Sequence, residues 1–123
     1  EIKFRKNKVR QIYEKAFDKN NITILPKIKN SNYILWINCI ITKNKNYTKK
    51  IILLLNNLRI ESKLFWKPMH KQKSIKNKLL IDKNLKFTDF IWERIVTLPS
   101  SPNLKPSVQA KIISEINKIW KKK

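Results

Sequence analysis

The chain has no glycine in any of its 123 residues. Average usage would put glycine at about 7%. A phosphate-cradling loop and a dinucleotide-binding turn both need glycine, because the backbone must come close to the phosphate there. Neither can be built from this sequence.

The same absence guides the reading of charge. Lysine, asparagine and isoleucine are abundant where glycine is missing. AT-rich coding explains all four facts. The formal charge of +21, from 29 Lys and Arg against 8 Asp and Glu, also invites a nucleic-acid reading. That reading explains only the lysines, so a basic nucleic-acid-binding domain stands as the alternative, and biased composition is preferred. Self-repulsion at this charge opposes compaction, so anions or a partner protein are expected to relieve it.

With 41% hydrophobic residues, the chain can bury a core. Its length suits a single domain over residues 1–123. Cys39 is the one cysteine and lies in an apolar run. It is expected to be a small core residue in a reducing, cytoplasmic compartment. Apolar runs such as 51–55 are far too short to span a bilayer. The chain opens on Glu1-Ile2-Lys3, already in a helical pattern and without methionine, as a piece of a longer protein would.

Periodicity gives an order of elements. Val9, Ile12, Tyr13, Ala16 and Phe17 recur at helical spacing and predict an amphipathic helix over 2–19. Residues 21–25 are a short β-branched strand. Residues 33–42, aromatic, β-branched and nearly continuous in apolarity, are the best strand in the chain. A helix over 47–58 follows, with Thr48 as its expected N-cap. A strand over 60–66 ends before Pro68. The lysine-rich stretch 71–86 is read as a long loop, of the kind that often carries function. A short helix over 87–93, a strand over 94–98 and a last helix with Pro106 in its first turn complete the order. The fold class is α+β, a small and mainly antiparallel sheet covered by helices. Trp36 and Trp66 are expected to pack in the core.

One histidine and one cysteine cannot supply the usual zinc ligand set. No nucleophile, base and orienting group can be named, and the eight acidic residues form no spaced pair. Taken alone, the chain does not look like a complete enzyme. Its most unusual stretch is Leu64-Phe65-Trp66-Lys67-Pro68-Met69-His70, which holds the only methionine and the only histidine.

That stretch, extended back to Ile60-Glu61-Ser62-Lys63, resembles a segment of the DegT/DnrJ-type sugar aminotransferases. A second match follows in order: Trp92-Glu93-Arg94, then Leu98-Pro99-Ser100-Ser101, then Asn103-Leu104. Residues 1–17 and the run Ser31 to Cys39 are similar to two earlier segments of the family. The resemblance covers almost the whole chain collinearly. It implies the small C-terminal domain of a fold-type I enzyme, in which helix 1–19 leads from a large domain outside this chain. The complete enzymes use pyridoxal phosphate (PLP), act on nucleotide-linked keto-sugars in polysaccharide biosynthesis, and work as homodimers. The Schiff-base lysine and phosphate-binding residues belong to the large domain, so this chain alone is expected to bind no PLP and to contribute no catalytic residue. By the match, Lys67, Met69 and His70 are the substrate-side candidates. Lys67 would attract a diphosphate, Met69 would line the sugar ring, and His70 would hydrogen-bond a hydroxyl or phosphate. The family pattern has glycine where this chain has Arg59 and Ser101, arginine at Lys63 and proline at Leu64. A side chain at a former glycine costs energy wherever φ is positive. These departures, with no large-domain residues in the chain, also admit a non-functional remnant.

Overall fold

The computed structural model of the chain describes residues 1–17, 19, 21–25, 30–31, 36–74 and 85–121. Among them are four α-helices and a three-stranded sheet. In chain order these are α1 (Ile2–Ala16), β1 (Ile22–Ile24), β2 (Asn38–Thr42), α2 (Lys45–Asn57), a 3-10 turn (Met69–Lys71), α3 (Lys86–Trp92), β3 (Ile95–Leu98) and α4 (Pro106–Lys121). The α+β class read from the pattern is the observed one.

The sheet has the order β1-β2-β3 with both pairs antiparallel. Ile22 lies opposite Thr42 and Ile24 opposite Ile40, while Asn38 lies opposite Leu98 and Ile41 opposite Ile95. All of β3 is buried, as its unbroken Ile-Val-Thr-Leu run requires. The expected strand over 33–42 is ordered as a strand only from Asn38, and its residues 33–35 lie outside the described set. Residues 75–84 of the expected long loop lie outside it as well.

The apolar stripe of α1 meets α2, α4 and the sheet in one core. Val9, Tyr13 and Phe17 pack with Ile51 and Leu55, with Ile112 and Ile116, and with Ile40, Val96 and Leu98. Burying each such side chain contributes roughly 1.5–3 kcal/mol relative to leaving it exposed. Polar groups tie the helices together inside this core. Buried Gln109 donates to the Val9 carbonyl at 2.7 Å, Asn117 donates to the Ala16 carbonyl at 3.0 Å, and Tyr13 donates to the Pro99 carbonyl at 3.2 Å. The stripe also hides a charge that its spacing did not announce. Arg10 is buried, pairs with Glu14 one turn on and donates to the Leu25 carbonyl.

Helix α2 differs from expectation at its start. Asn44 is the N-cap, its side-chain oxygen accepting from the Asn46 and Tyr47 amides at 3.0 and 3.2 Å. Thr48 lies one turn inside, buried, with its hydroxyl 2.7 Å from that of Thr42. A short asparagine side chain before the first turn reaches the free amides there, whereas Thr48 sits on the helix face turned to the sheet. At the other end, the Arg59 amide donates to the Asn56 carbonyl and the Ile60 amide to the Leu55 carbonyl, both at 2.9 Å. This is a Schellman cap, and its left-handed position is filled by Arg59 at φ 59°.

Residues 60–66 are not the full strand expected. They touch β3 at one bridge, Leu64 opposite Val96. The flanking bonds run from the Phe65 amide to the Ile95 carbonyl and from the Thr97 amide to the Lys63 carbonyl. Side chains replace the rest of the ladder. The Ser62 hydroxyl donates to the Thr97 carbonyl at 2.8 Å, and Asn56 brackets Ser62 through its amide and carbonyl.

Candidate functional site

The segment that holds the candidate residues leaves the sheet at Phe65 and turns at Pro68. The Lys71 amide closes the 3-10 turn onto the Pro68 carbonyl at 2.9 Å, and the Gln72 side chain donates to the Lys67 carbonyl at 3.0 Å. A proline with its fixed φ suits the entry to such a turn.

This turn is fastened to α3 by charge. His70 Nε2 lies 2.7 Å from Asp89 Oδ1, and Lys71 Nζ lies 3.0 Å from Asp89 Oδ2. The Lys71 ammonium also stands 5.7 Å from the centre of the Trp92 ring. Trp92 in turn donates its indole N–H to the Phe65 carbonyl at 2.9 Å. The hydrogen bond from Lys71, with a smaller contribution from His70, holds the Asp89 carboxyl below its usual range. Asp89 is the residue that reading the sequence missed. It lies nineteen positions from His70. Its only advance signal was a place in the first turn of a short helix.

The three candidates are placed differently. His70 is half-buried and held by Asp89, whereas Met69 and Lys67 are exposed. A cavity of about 350 Å³ lies beside the turn, lined by Phe65, Trp66, Pro68, Phe87, Thr88, Ile91, Trp92 and Ile95. Phe65, Trp66 and Pro68 of the motif stand in that wall, and Lys67, Met69 and His70 do not line it. The motif is thus folded as one anchored unit, but its candidates do not converge on one enclosed pocket within this chain.

Trp36 and Trp66 overturn the core expectation. Each is 60% exposed, and their rings stack against each other with centroids 5.2 Å apart and planes tilted by 34°. Phe65 extends the cluster, 4.9 Å from Trp66. The last backbone bond from residues 60–66 to β3 is the one donated by the Phe65 amide, so Trp66 is carried past the sheet edge instead of under the helices.

Cys39 is buried and unpaired, and burial pushes its thiol up to about 11. Among the described residues no three His, Cys, Asp or Glu side chains gather as a metal site would require. No helix among them is long and apolar enough to cross a membrane. None of the described lysines is buried, and none lines the aromatic cavity. These residues therefore offer no desolvated lysine for the aldehyde of PLP.

Known structures resemble this one over almost its full length. An aminotransferase from Brucella abortus matches with a TM-score of 0.77 at 24% identity, over 94% of this chain and 30% of that one. PseC of Helicobacter pylori, an aminotransferase involved in the biosynthesis of pseudoaminic acid, matches at 0.80 and 18%, over 96% and 32%. A Streptococcus pneumoniae protein assigned as a sugar aminotransferase and solved in its PLP form matches at 0.78 and 20%, over 97% and 31%. The chain thus spans about a third of the length of these structures. No curated protein sequence matches it. The family model of the DegT/DnrJ/EryC1/StrS aminotransferases matches residues 1–117. The chain, with its anchored Lys-Pro-Met-His turn and α+β fold, belongs to the DegT/DnrJ/EryC1/StrS aminotransferase family.

Proposed function

We propose that residues 1–123 are the small domain of a PLP-dependent aminotransferase acting on a nucleotide-linked keto-sugar. The chain supplies one wall of the substrate site and part of the dimer interface. The PLP chemistry comes from a larger domain outside residues 1–123, and the complete enzyme works in the cytoplasm. The observation that carries this reading is the construction of the motif turn. His70, the only histidine, is half-buried and fixed by Asp89, on a segment pinned to β3 by Ser62, Lys63 and Phe65. A surface histidine of no consequence needs no such anchoring. An imidazole whose Nε2–H donates to a carboxylate keeps Nδ1 to accept from a sugar hydroxyl, and the protonated ring donates Nδ1–H to a phosphate oxygen. Exposed Lys67 adds a positive charge beside it for a diphosphate, and Met69 an adaptable apolar surface.

The test is a chimera in which residues 1–123 replace the matched third of PseC. The chimera should fold, bind PLP and transaminate a nucleotide-linked keto-sugar. His70→Ala should lower its kcat/KM with little effect on PLP affinity. A folded chimera that binds PLP and does not turn over would sink the reading.

A further inference from the structure

We infer that the exposed Trp36 and Trp66 pair is a docking surface for an acidic, apolar face of the larger polypeptide segment that completes this fold. The inference rests on the proposed function. A single exposed tryptophan is unremarkable, but here two indoles from positions thirty apart are stacked on each other and left 60% exposed. Tryptophans gathered in this way are the usual energetic centre of an interface, because each can bury about 150–250 Å².

The patch continues onto the start of α1. Lys6 donates to the Trp36 carbonyl at 2.6 Å and to the Ser100 carbonyl at 3.1 Å. This joins the helix to the strand entry. Ile2, one turn earlier on the same helix face, is 63% exposed, although Val9 and Tyr13 farther along that face are buried. The apolar stripe therefore runs past the edge of the core it covers. Beside Trp36 lies an open groove of about 570 Å³ lined by three cations, Lys6, Arg59 and Lys63, and by one carboxylate, Glu61, which pairs with Lys63 at 2.9 Å.

The occupant follows from length and charge. The solved relatives carry about twice as much further polypeptide as this chain supplies, since it covers 30–32% of them. A second copy would bring its own formal charge of +21 to a groove whose charged lining is still in excess positive, and like charges oppose that contact. An acidic face suits both the cations and the overall charge.

Hydroxyl-radical footprinting of the PseC chimera tests this directly. Trp36, Trp66 and Leu53 are all at least 60% exposed in this chain, so Leu53 is the internal reference. Corrected for intrinsic reactivity, Trp36 and Trp66 should oxidise at least fivefold more slowly than Leu53. Rates equal to that of Leu53 would overturn the proposal. The Trp36→Ser/Trp66→Ser double variant should lower the melting temperature of the chimera more than that of the free chain, and equal shifts would overturn it. Protection of both indoles in the free chain on self-association, or by a mixed-sequence single-stranded oligonucleotide, would give the patch to another occupant and overturn it too. An active chimera with exposed indoles removes the docking surface and leaves the proposed function standing. Protected indoles in a chimera that binds PLP without turnover do the reverse.

Discussion

His70 Nε2 and Asp89 Oδ1 lie 2.7 Å apart and join the motif turn to α3. Asp89 also accepts from Lys71, so one carboxylate holds two consecutive side chains of the turn. Asp89→Asn keeps the shape and removes the charge. In the PseC chimera it is expected to lower kcat/KM between about 10- and 100-fold, as misplacing a substrate contact does. A purely structural role would leave the His70 ring nitrogens unchanged. Their 15N shifts should instead report a changed tautomer balance.

The same carboxylate sets a pH dependence. Its folded-state pKa is depressed, so the link contributes stability above the unfolded value, about 3.9. That contribution falls away as the pH drops through the lower folded value. The side-chain carboxyl 13C signal of Asp89 should therefore hold its position down to about pH 4 and make its own transition only below it. Movement centred above pH 5 would contradict the pairing.

Arg59 occupies the left-handed position of the Schellman cap at φ 59°. A side chain there costs roughly 1–2 kcal/mol. Arg59→Gly should raise the unfolding free energy by about 1 kcal/mol, measured by denaturant titration at unchanged m-value. Ser101→Gly should not stabilise. Ser101 is not at positive φ, and its hydroxyl oxygen accepts from the Asn103 amide at 3.2 Å.

These two positions show how far the sequence could be read. A missing glycine at 59 and at 101 looks the same in the chain, and only backbone geometry separates a strained substitution from a harmless one. Leu64 is similar. The family pattern has proline there, and Leu64 and Val96 are a non-hydrogen-bonded pair, with the flanking bonds donated by the Phe65 and Thr97 amides. Helices α1, α2 and α4 were legible because their apolar spacing matches one buried face, and β3 because its short apolar run is buried throughout. Trp36 and Trp66 were not, because hydrophobicity predicts burial only when something is present to cover the residue. Asp89 was not legible because a pair nineteen residues apart depends on how α3 returns over the turn. The resemblance to the family was legible in residues 60–70 and 92–104, and the match over 1–117 bears it out.

Cys39 should be inert in the folded chain. Burial raises its thiol from 9.0 to about 11, so the thiolate that reacts is scarce at pH 8. Because the folded value is the higher one, this stability is fully present below pH 9 and is lost as the pH rises towards 11. Alkylation by iodoacetamide should be slow at pH 8 and become fast on adding denaturant. Equal rates in both conditions would mean that β2 is not packed as described.

Thr97 couples the core to the motif. It is buried on β3, and its hydroxyl both donates to the Lys63 carbonyl at 3.1 Å and accepts from the Lys63 amide at 3.2 Å. Thr97→Val keeps the volume and leaves the Lys63 amide without its partner, while the Lys63 carbonyl keeps only the Thr97 amide at 2.9 Å. The cost should be about 1–3 kcal/mol, the range for an unsatisfied buried polar group. It should also be local: the Lys63 and Phe65 amides should exchange faster, while the amides of α4 change only in line with global stability. In the PseC chimera the same variant should raise KM for the nucleotide-linked sugar, because Lys63 and Phe65 lead directly into the turn that carries Lys67 and His70. Unchanged exchange at Phe65 together with unchanged KM would show that the turn is positioned by α3 alone, through Asp89, and not by the sheet.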